Sequence, residues 1–290
     1  MILTNSSAAK VGGTNVTAIA SATAAFRQFM CYAATTISQA ITGAIGLIKN
    51  GAGKLTLSGT CNYTGQTQIN SGTLEVTGAS TLNGVISGAG TLAKSGSLAL
   101  TIGGNNTYSG GTNYSSSAAA ATITFSSGNV FGTGNVTCSG PCQIITSATV
   151  TVPNNFILSS GTMQYRTAGA QTYTISGNIS GAGNVNKTGN GTVVLSGALT
   201  YTGSTTITAG NLRAFKTTGA STATGTFNNN GTTTVLSVSF NVSPPSGVTT
   251  FRFFQGSTAG TWTIGTLTGV PVGTTATYAS ATSTLSVTVP

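Results

Sequence analysis

The sequence predicts an all-β solenoid, and three observations carry that prediction. Apolar residues alternate with small polar ones, Gly and Asn-Gly clusters cut the alternation into short runs, and the runs recur at a fixed interval. Lys54-Leu55-Thr56-Leu57-Ser58 and Thr73-Leu74-Glu75-Val76-Thr77 are typical runs. A period of two puts every second side chain on one face, so each run reads as a strand with one buried side. Strands of this kind, repeated with almost no helical pattern, hide their apolar faces by stacking on their neighbours.

The recurrence defines the central body, residues 40–215. Residues 41–76 align without a gap on residues 179–214, with sixteen identities in thirty-six positions. A third copy lies 45 residues after the first, where Ile86, Gly88, Ala89, Lys94, Gly96, Gly104, Tyr108, Gly110 and Thr112 fall on Ile41, Gly43, Ala44, Lys49, Gly51, Gly59, Tyr63, Gly65 and Thr67. The slot around residues 131–176 has drifted, but "TVTVPNNFILSSGTMQYR" still reads as strand. A 45-residue module holds roughly two coils, each adding about 4.8 Å along the axis, so the expected body is a rod on the order of 50 Å long.

Two flanks complete the organisation. Residues 1–39 read as an N-terminal cap, because Phe26, Phe29, Met30 and Ala33 at i, i+3, i+4 and i+7 predict one short amphipathic helix. The alternative is that this segment docks onto a larger assembly, with Phe26, Arg27, Phe29 and Met30 as the attachment residues. Residues 216–290 read as further β-rich coils closed by Phe251, Phe253, Phe254 and Trp262. A capped end is expected because naked strand edges invite end-to-end association.

Composition then excludes most chemistry. The 290 residues contain no His and no Asp, and Glu75 is the single acid. General acid–base catalysis, paired carboxylates and a Ser-His-Asp triad therefore lack their players, and an enzyme is not expected. Magnesium, calcium and catalytic zinc sites are unexpected for the same reason, and no cofactor is implied. The formal net charge is +9, but the ten Lys and Arg are scattered from Lys10 to Arg252, and nucleic acid is not an expected partner. The excess charge still favours an acidic partner surface by long-range attraction. No run of 18 apolar residues exists, so membrane insertion is not expected. "MILTNSSAAKVGGTNVTAIASATAAF" places polar residues where the apolar block of a signal peptide belongs, so an unprocessed start is expected.

Four candidate features remain. Tyr63, Tyr108 and Tyr201 share one module position and could line one face as a ladder that contacts glycans; the competing reading packs each ring against the next coil. Lys49, Lys94 and Lys187 also recur and are expected to run along the surface with their heads in water. "CSGPC" could close a small loop through a Cys138–Cys142 disulfide in an oxidising compartment, whereas a four-Cys zinc site lacks its second close pair. "GLIKNGAGKLT" fails as a phosphate loop, since Ile48 stands at the first motif Gly and Leu55 at the Ser/Thr position.

"KNGAGKLTLSGTCNYTGQTQINSGTLEV" resembles the autotransporter-associated beta strand repeat, or passenger-associated transport repeat, through its Lys, Gly-x-Gly, Leu-x-Leu-Ser-Gly, Tyr-Thr-Gly and Gly-x-Leu. The resemblance covers residues 41–76, 86–112 and 179–214 and implies a right-handed parallel β-helix displayed on a surface. Together with the missing catalytic inventory it sets two expectations. The first is a structural protein of a phage-like virion, a head decoration or fibre, partnered by other virion proteins or by itself as a homo-oligomer and touching host surfaces or glycans. The alternative is a secreted bacterial adhesin or biofilm protein, extracellular or on the cell surface.

Overall fold

A half-buried strand needs a partner on each side, and this chain supplies both from itself one coil earlier and one coil later. The computed structural model describes the backbone of residues 2–5, 9–11, 18–21, 26–116, 118, 121–203, 205–209, 211–216, 227–229, 234–240, 247–251, 262–264, 275–279 and 284–289, with side chains for most positions from Phe26 to Leu212. The described residues are all-β, a parallel β-solenoid in two units, residues 1–145 and 146–290.

In the first unit the coils run around three faces. One face stacks Ile2–Asn5, Phe26–Cys31, Gly46–Asn50, Thr67–Ile69 and Ile86–Ser87. The second stacks Ala9–Val11, Thr35–Ile37, Lys54–Leu57, Thr73–Val76, Thr91–Lys94, Thr112–Ser115 and Val136–Ser139. The third stacks Ala18–Ser21, Ala40–Gly43, Cys61–Tyr63, Ser80–Leu82, Leu100–Ile102 and Thr122–Phe125. All of these pairs are parallel. Leu55 pairs with Leu74 and Leu74 with Leu92, so a coil takes 18 or 19 residues here. These three side chains are fully buried, and burying a Leu contributes roughly 2 kcal/mol. Beyond Ser87 the first face is continued by a side chain: Asn106, also buried, accepts from the Ile86 amide at 2.7 Å and donates to Val130 O at 2.7 Å.

In the second unit one face stacks Val150–Val152, Thr172–Ile175, Thr192–Leu195, Asn211–Lys216, Thr234–Phe240 and Trp262–Ile264. Another stacks Thr162–Thr167, Asn184–Thr188, Thr205–Ile207 and Phe227–Asn229, and Phe156–Ser160 pairs with Ile179–Gly181. Edge-to-face contacts of Tyr165 with Phe156 at 5.7 Å and with Tyr173 at 6.0 Å fill the interior. Near the C-terminus the pairing changes direction: Thr284–Val289 lies antiparallel between Gly247–Phe251 and Thr275–Ala279. The closure expected from Phe251, Phe253, Phe254 and Trp262 concerns side chains outside the described residues.

The expected helix at Phe26 is corrected: Phe26–Cys31 is a strand. The segment also satisfies a period of two, with Phe29 and Cys31 inside and Gln28 and Met30 turned outward. Parallel pairing with Gly46–Asn50 satisfies its backbone, which a lone short helix leaves largely to water. Residues 1–39 therefore contribute strands to all three faces rather than a helical cap.

The repeat and the coil are out of phase. From Gly46–Asn50 to Thr91–Lys94 the chain advances seven strands, while one turn of the solenoid takes three. One module is thus two coils and one face more. Repeat-equivalent residues of the first unit consequently land on different sides: Lys49 on the first face, Lys94 on the second.

Candidate functional site

The recurring tyrosines are interior residues. Tyr63, Tyr108 and Tyr201 are at most 1% exposed, and each hydroxyl is bonded to a buried threonine four residues on: Thr67 at 2.7 Å, Thr112 at 2.6 Å and Thr205 at 2.5 Å. Of the two readings of these tyrosines, the glycan-contacting ladder is therefore corrected twice. The rings point inward, and Tyr63 lies in a strand of the third face whereas Tyr108 does not. Burial pushes all three phenols upward, Tyr201 to about 12, with the threonine bonds opposing.

The recurring lysines are interior as well, which corrects the expectation that their heads lie in water. Lys49, Lys94 and Lys187 have no exposed surface. Lys49 Nζ donates to Asn50 O at 3.0 Å, Gly51 O at 2.8 Å and Ser71 O at 3.0 Å. Lys187 Nζ donates to Thr188 O at 2.9 Å, Gly189 O at 2.7 Å and Ala209 O at 3.0 Å. The offsets are the same in both, i+1, i+2 and i+22, so one seat is built twice. Its carbonyls converge because Gly51 and Gly189 hold φ at 82° and 76°. A Cβ on Gly51 would come within 2.4 Å of Cys31 O. Burial pushes these ammonium groups down, Lys187 to about 8. Three carbonyl acceptors each compensate for the water that Lys49 and Lys187 give up. Sequence reasoning missed this seat, although Lys-x-Gly at 49–51 and 187–189 is its visible signal.

Glu75 is consumed by structure. Its carboxylate takes Lys54 Nζ at 2.8 Å, Thr56 Oγ1 at 2.9 Å and Ser95 Oγ at 2.8 Å. Burial alone would raise its pKa, but these bonds and the Lys54 charge outweigh it and hold the carboxyl below its ordinary value.

The remaining candidates divide between core and surface. Phe29 is 4% exposed and belongs to the core; Arg27 and Met30 are half-buried; Phe26 is exposed, as are Tyr32 and Leu98. All four cysteines are buried free thiols, and Cys142 Sγ lies 3.2 Å from Tyr114 O and 3.7 Å from Ser139 O. Among the described residues no group of three or more His, Cys, Asp or Glu converges on a point.

One open groove of about 400 Å³ lies on the outside of the first unit, lined by Ser109, Gly110, Gly111, Asn113, Gly134, Asn135 and Thr137. Its floor follows from register: Asn113 pairs with Thr137 on the second face, both turned outward, and glycines leave the adjoining backbone uncovered. The lining is polar and uncharged. It offers amide and hydroxyl hydrogen bonds and no proton-transfer group.

The passenger-associated-transport-repeat family matches residues 47–76, 92–113 and 185–214. No curated protein and no solved structure matches the chain. The three matched segments contain the Tyr–Thr pairs, which bond within one coil, and the Lys49 and Lys187 seats and Glu75, which bond to the neighbouring coil. The match supports the repeat family and, with the solenoid, a place outside the cell or on its surface. No helix among the described residues is long and apolar enough to cross a membrane.

Proposed function

We propose that this chain is a non-enzymatic, surface-displayed β-solenoid of the adhesin type, in line with the secreted alternative of the two sequence expectations. The observation that carries it is the threefold match to a passenger repeat within a parallel solenoid. The absence of His and Asp and the full engagement of Glu75 support a role without turnover. The outward side chains that the registers align, such as Thr42, Asn62, Thr81, Thr101 and Thr124 on the third face, are neutral hydrogen-bonding groups. Such a surface makes weak contacts with host surfaces, glycans or further copies of the chain, and many copies add avidity. The virion reading, as decoration or fibre, draws on the missing catalytic inventory and the stiff repeat body, and the passenger-repeat match favours the secreted alternative over it.

The test is fractionation of the native source into envelope and particle fractions, with external protease and mass spectrometry of the N-terminal peptide. Protease-sensitive chain on intact cells is expected. Co-purification with particles at fixed stoichiometry would overturn the reading in favour of the virion.

A further inference from the structure

The three faces of the first unit use their outward side chains differently. On the second face these groups are bonded within the chain: Thr56 Oγ1 and Ser95 Oγ donate to Glu75, Ser58 Oγ to Ile37 O at 3.2 Å, and Thr91 Oγ1 to Gly110 O at 3.0 Å. The first face mixes Gln28, Ile48, Gln68 and Ser87 in its outward column, and its strands end there. The third face aligns Thr42, Asn62, Thr81, Thr101 and Thr124 over five successive coils. Asn62 is exposed and the four threonines are half-buried. Among the described residues, none of these five hydroxyl or amide groups is bonded within the chain.

Two residues upstream the same registers stack Ala40, Thr60, Ala79, Ala99 and Thr122, again turned outward. Neither column holds a charge; the ion pair of Lys54 and Glu75 belongs to the second face. The rings of the third face, Tyr63 and Phe125, point inward and are at most 2% exposed. What remains outside is a grid of hydroxyls, one amide and small methyl groups. Its repeat is that of the sheet itself, about 4.8 Å from coil to coil and about 6.7 Å between outward residues of one strand.

From this array we propose that the third face binds ice, with the four threonines and Asn62 standing in for water molecules at the crystal surface. The proposal needs this face alone and not the display reading. An uncharged face matches an uncharged partner, and the net charge of +9 lies elsewhere in the chain. A hydroxyl both donates and accepts, as every surface water of ice does, and these hydroxyls have no competing partner in the fold. Their spacing comes close to the repeats of the ice lattice, and the sheet holds them in place before binding, so little ordering is lost. Each contact is weak, but a periodic ligand meets all five coils at once and the contacts add. A crystalline polysaccharide is also neutral and periodic. Its sugar rings, however, call for exposed aromatic faces, and this face turns its rings inward.

The test partitions the purified full chain between a slowly growing ice front and the remaining solution, beside an unrelated protein of similar size. The chain should be enriched in the ice over that reference by at least about tenfold. Exclusion from the ice together with the reference would overturn the proposal. Thr101→Lys places a long charged side chain in the middle of the array and should remove most of the enrichment. Ser115→Lys, outward on the second face, should leave it unchanged. Urea midpoints equal to the parent's show that the variants are folded, and Thr81→Lys reads the same face on the adjacent coil should Thr101→Lys fail to fold. Enrichment kept by a folded third-face variant would overturn the assignment of the face. Retention of the parent on microcrystalline cellulose or chitin, lost in Thr101→Lys and without enrichment in ice, would overturn it in favour of a polysaccharide. Protease treatment of intact cells is independent of all these results, so the display reading and this one fail separately.

Discussion

Lys49 Nζ lies 3.0 Å from Ser71 O, one coil further along the chain, and Lys187 Nζ stands in the same relation to Ala209 O. A cation inside the solenoid thus ties adjacent coils together through backbone alone. Lys49→Met keeps the volume but leaves three inward carbonyls without their donor. We expect a loss of at least about 2 kcal/mol, read as a lower midpoint in urea unfolding. A variant unchanged in midpoint would mean that water reaches these carbonyls.

The Tyr63–Thr67 pair allows a cleaner subtraction. Tyr63→Phe strands the Thr67 hydroxyl in the core and should cost about 1–2 kcal/mol. Thr67→Val alone should cost a similar amount. The double variant should cost less than the sum, with a coupling of about 1 kcal/mol in a double-mutant cycle.

Two glycines with similar backbone angles should respond differently. Gly51 has φ 82° and a Cβ there would meet Cys31 O at 2.4 Å; Gly96 has φ 75°, yet its nearest neighbour would be Thr77 O at 3.4 Å. Gly96→Ala should therefore cost only left-handed strain, about 1 kcal/mol. Gly51→Ala adds displacement of the neighbouring coil, and its thermal midpoint should fall clearly further. Equal losses would show that the stack of coils yields freely.

Glu75 sets the acid response of the first unit. Its folded pKa lies below the unfolded value, so its contribution is fully present above the unfolded pKa, ordinarily about 4.3, and is lost as pH falls through the folded one. Thermal stability of the parent chain should drop over that window. Glu75→Gln should be less stable at neutral pH, by about 1 kcal/mol, and nearly flat through the same range.

Much of the interior was legible in residues. Leu55, Leu57, Leu74 and Val76 sit inside as their period of two requires, and Gly51 and Gly189 mark turns. The tyrosines and lysines were visible as recurring positions, but not their direction. A Lys is ordinarily read as solvated, since burying its charge is costly without partners. The partners here are backbone carbonyls from the same turn and from the next coil, and carbonyls leave no trace in a sequence. The helix expected at Phe26–Ala33 failed because so short a segment can satisfy both periods. The neighbouring strands Ile2–Asn5 and Gly46–Asn50 decide between them.

By itself the sequence determined an all-β solenoid of stacked short strands and a chain nearly devoid of proton-transfer groups. Both follow from local properties, the alternation of apolar and polar residues and the inventory of side chains. The tertiary structure alone decided which way the repeated residues face. A module of seven strands wound on a three-strand coil advances by one face each time, so Lys49 and Lys94 look inward from different sides. That phase depends on how many residues each turn consumes, which is fixed by the packing of one coil on the next rather than by any residue within the repeat.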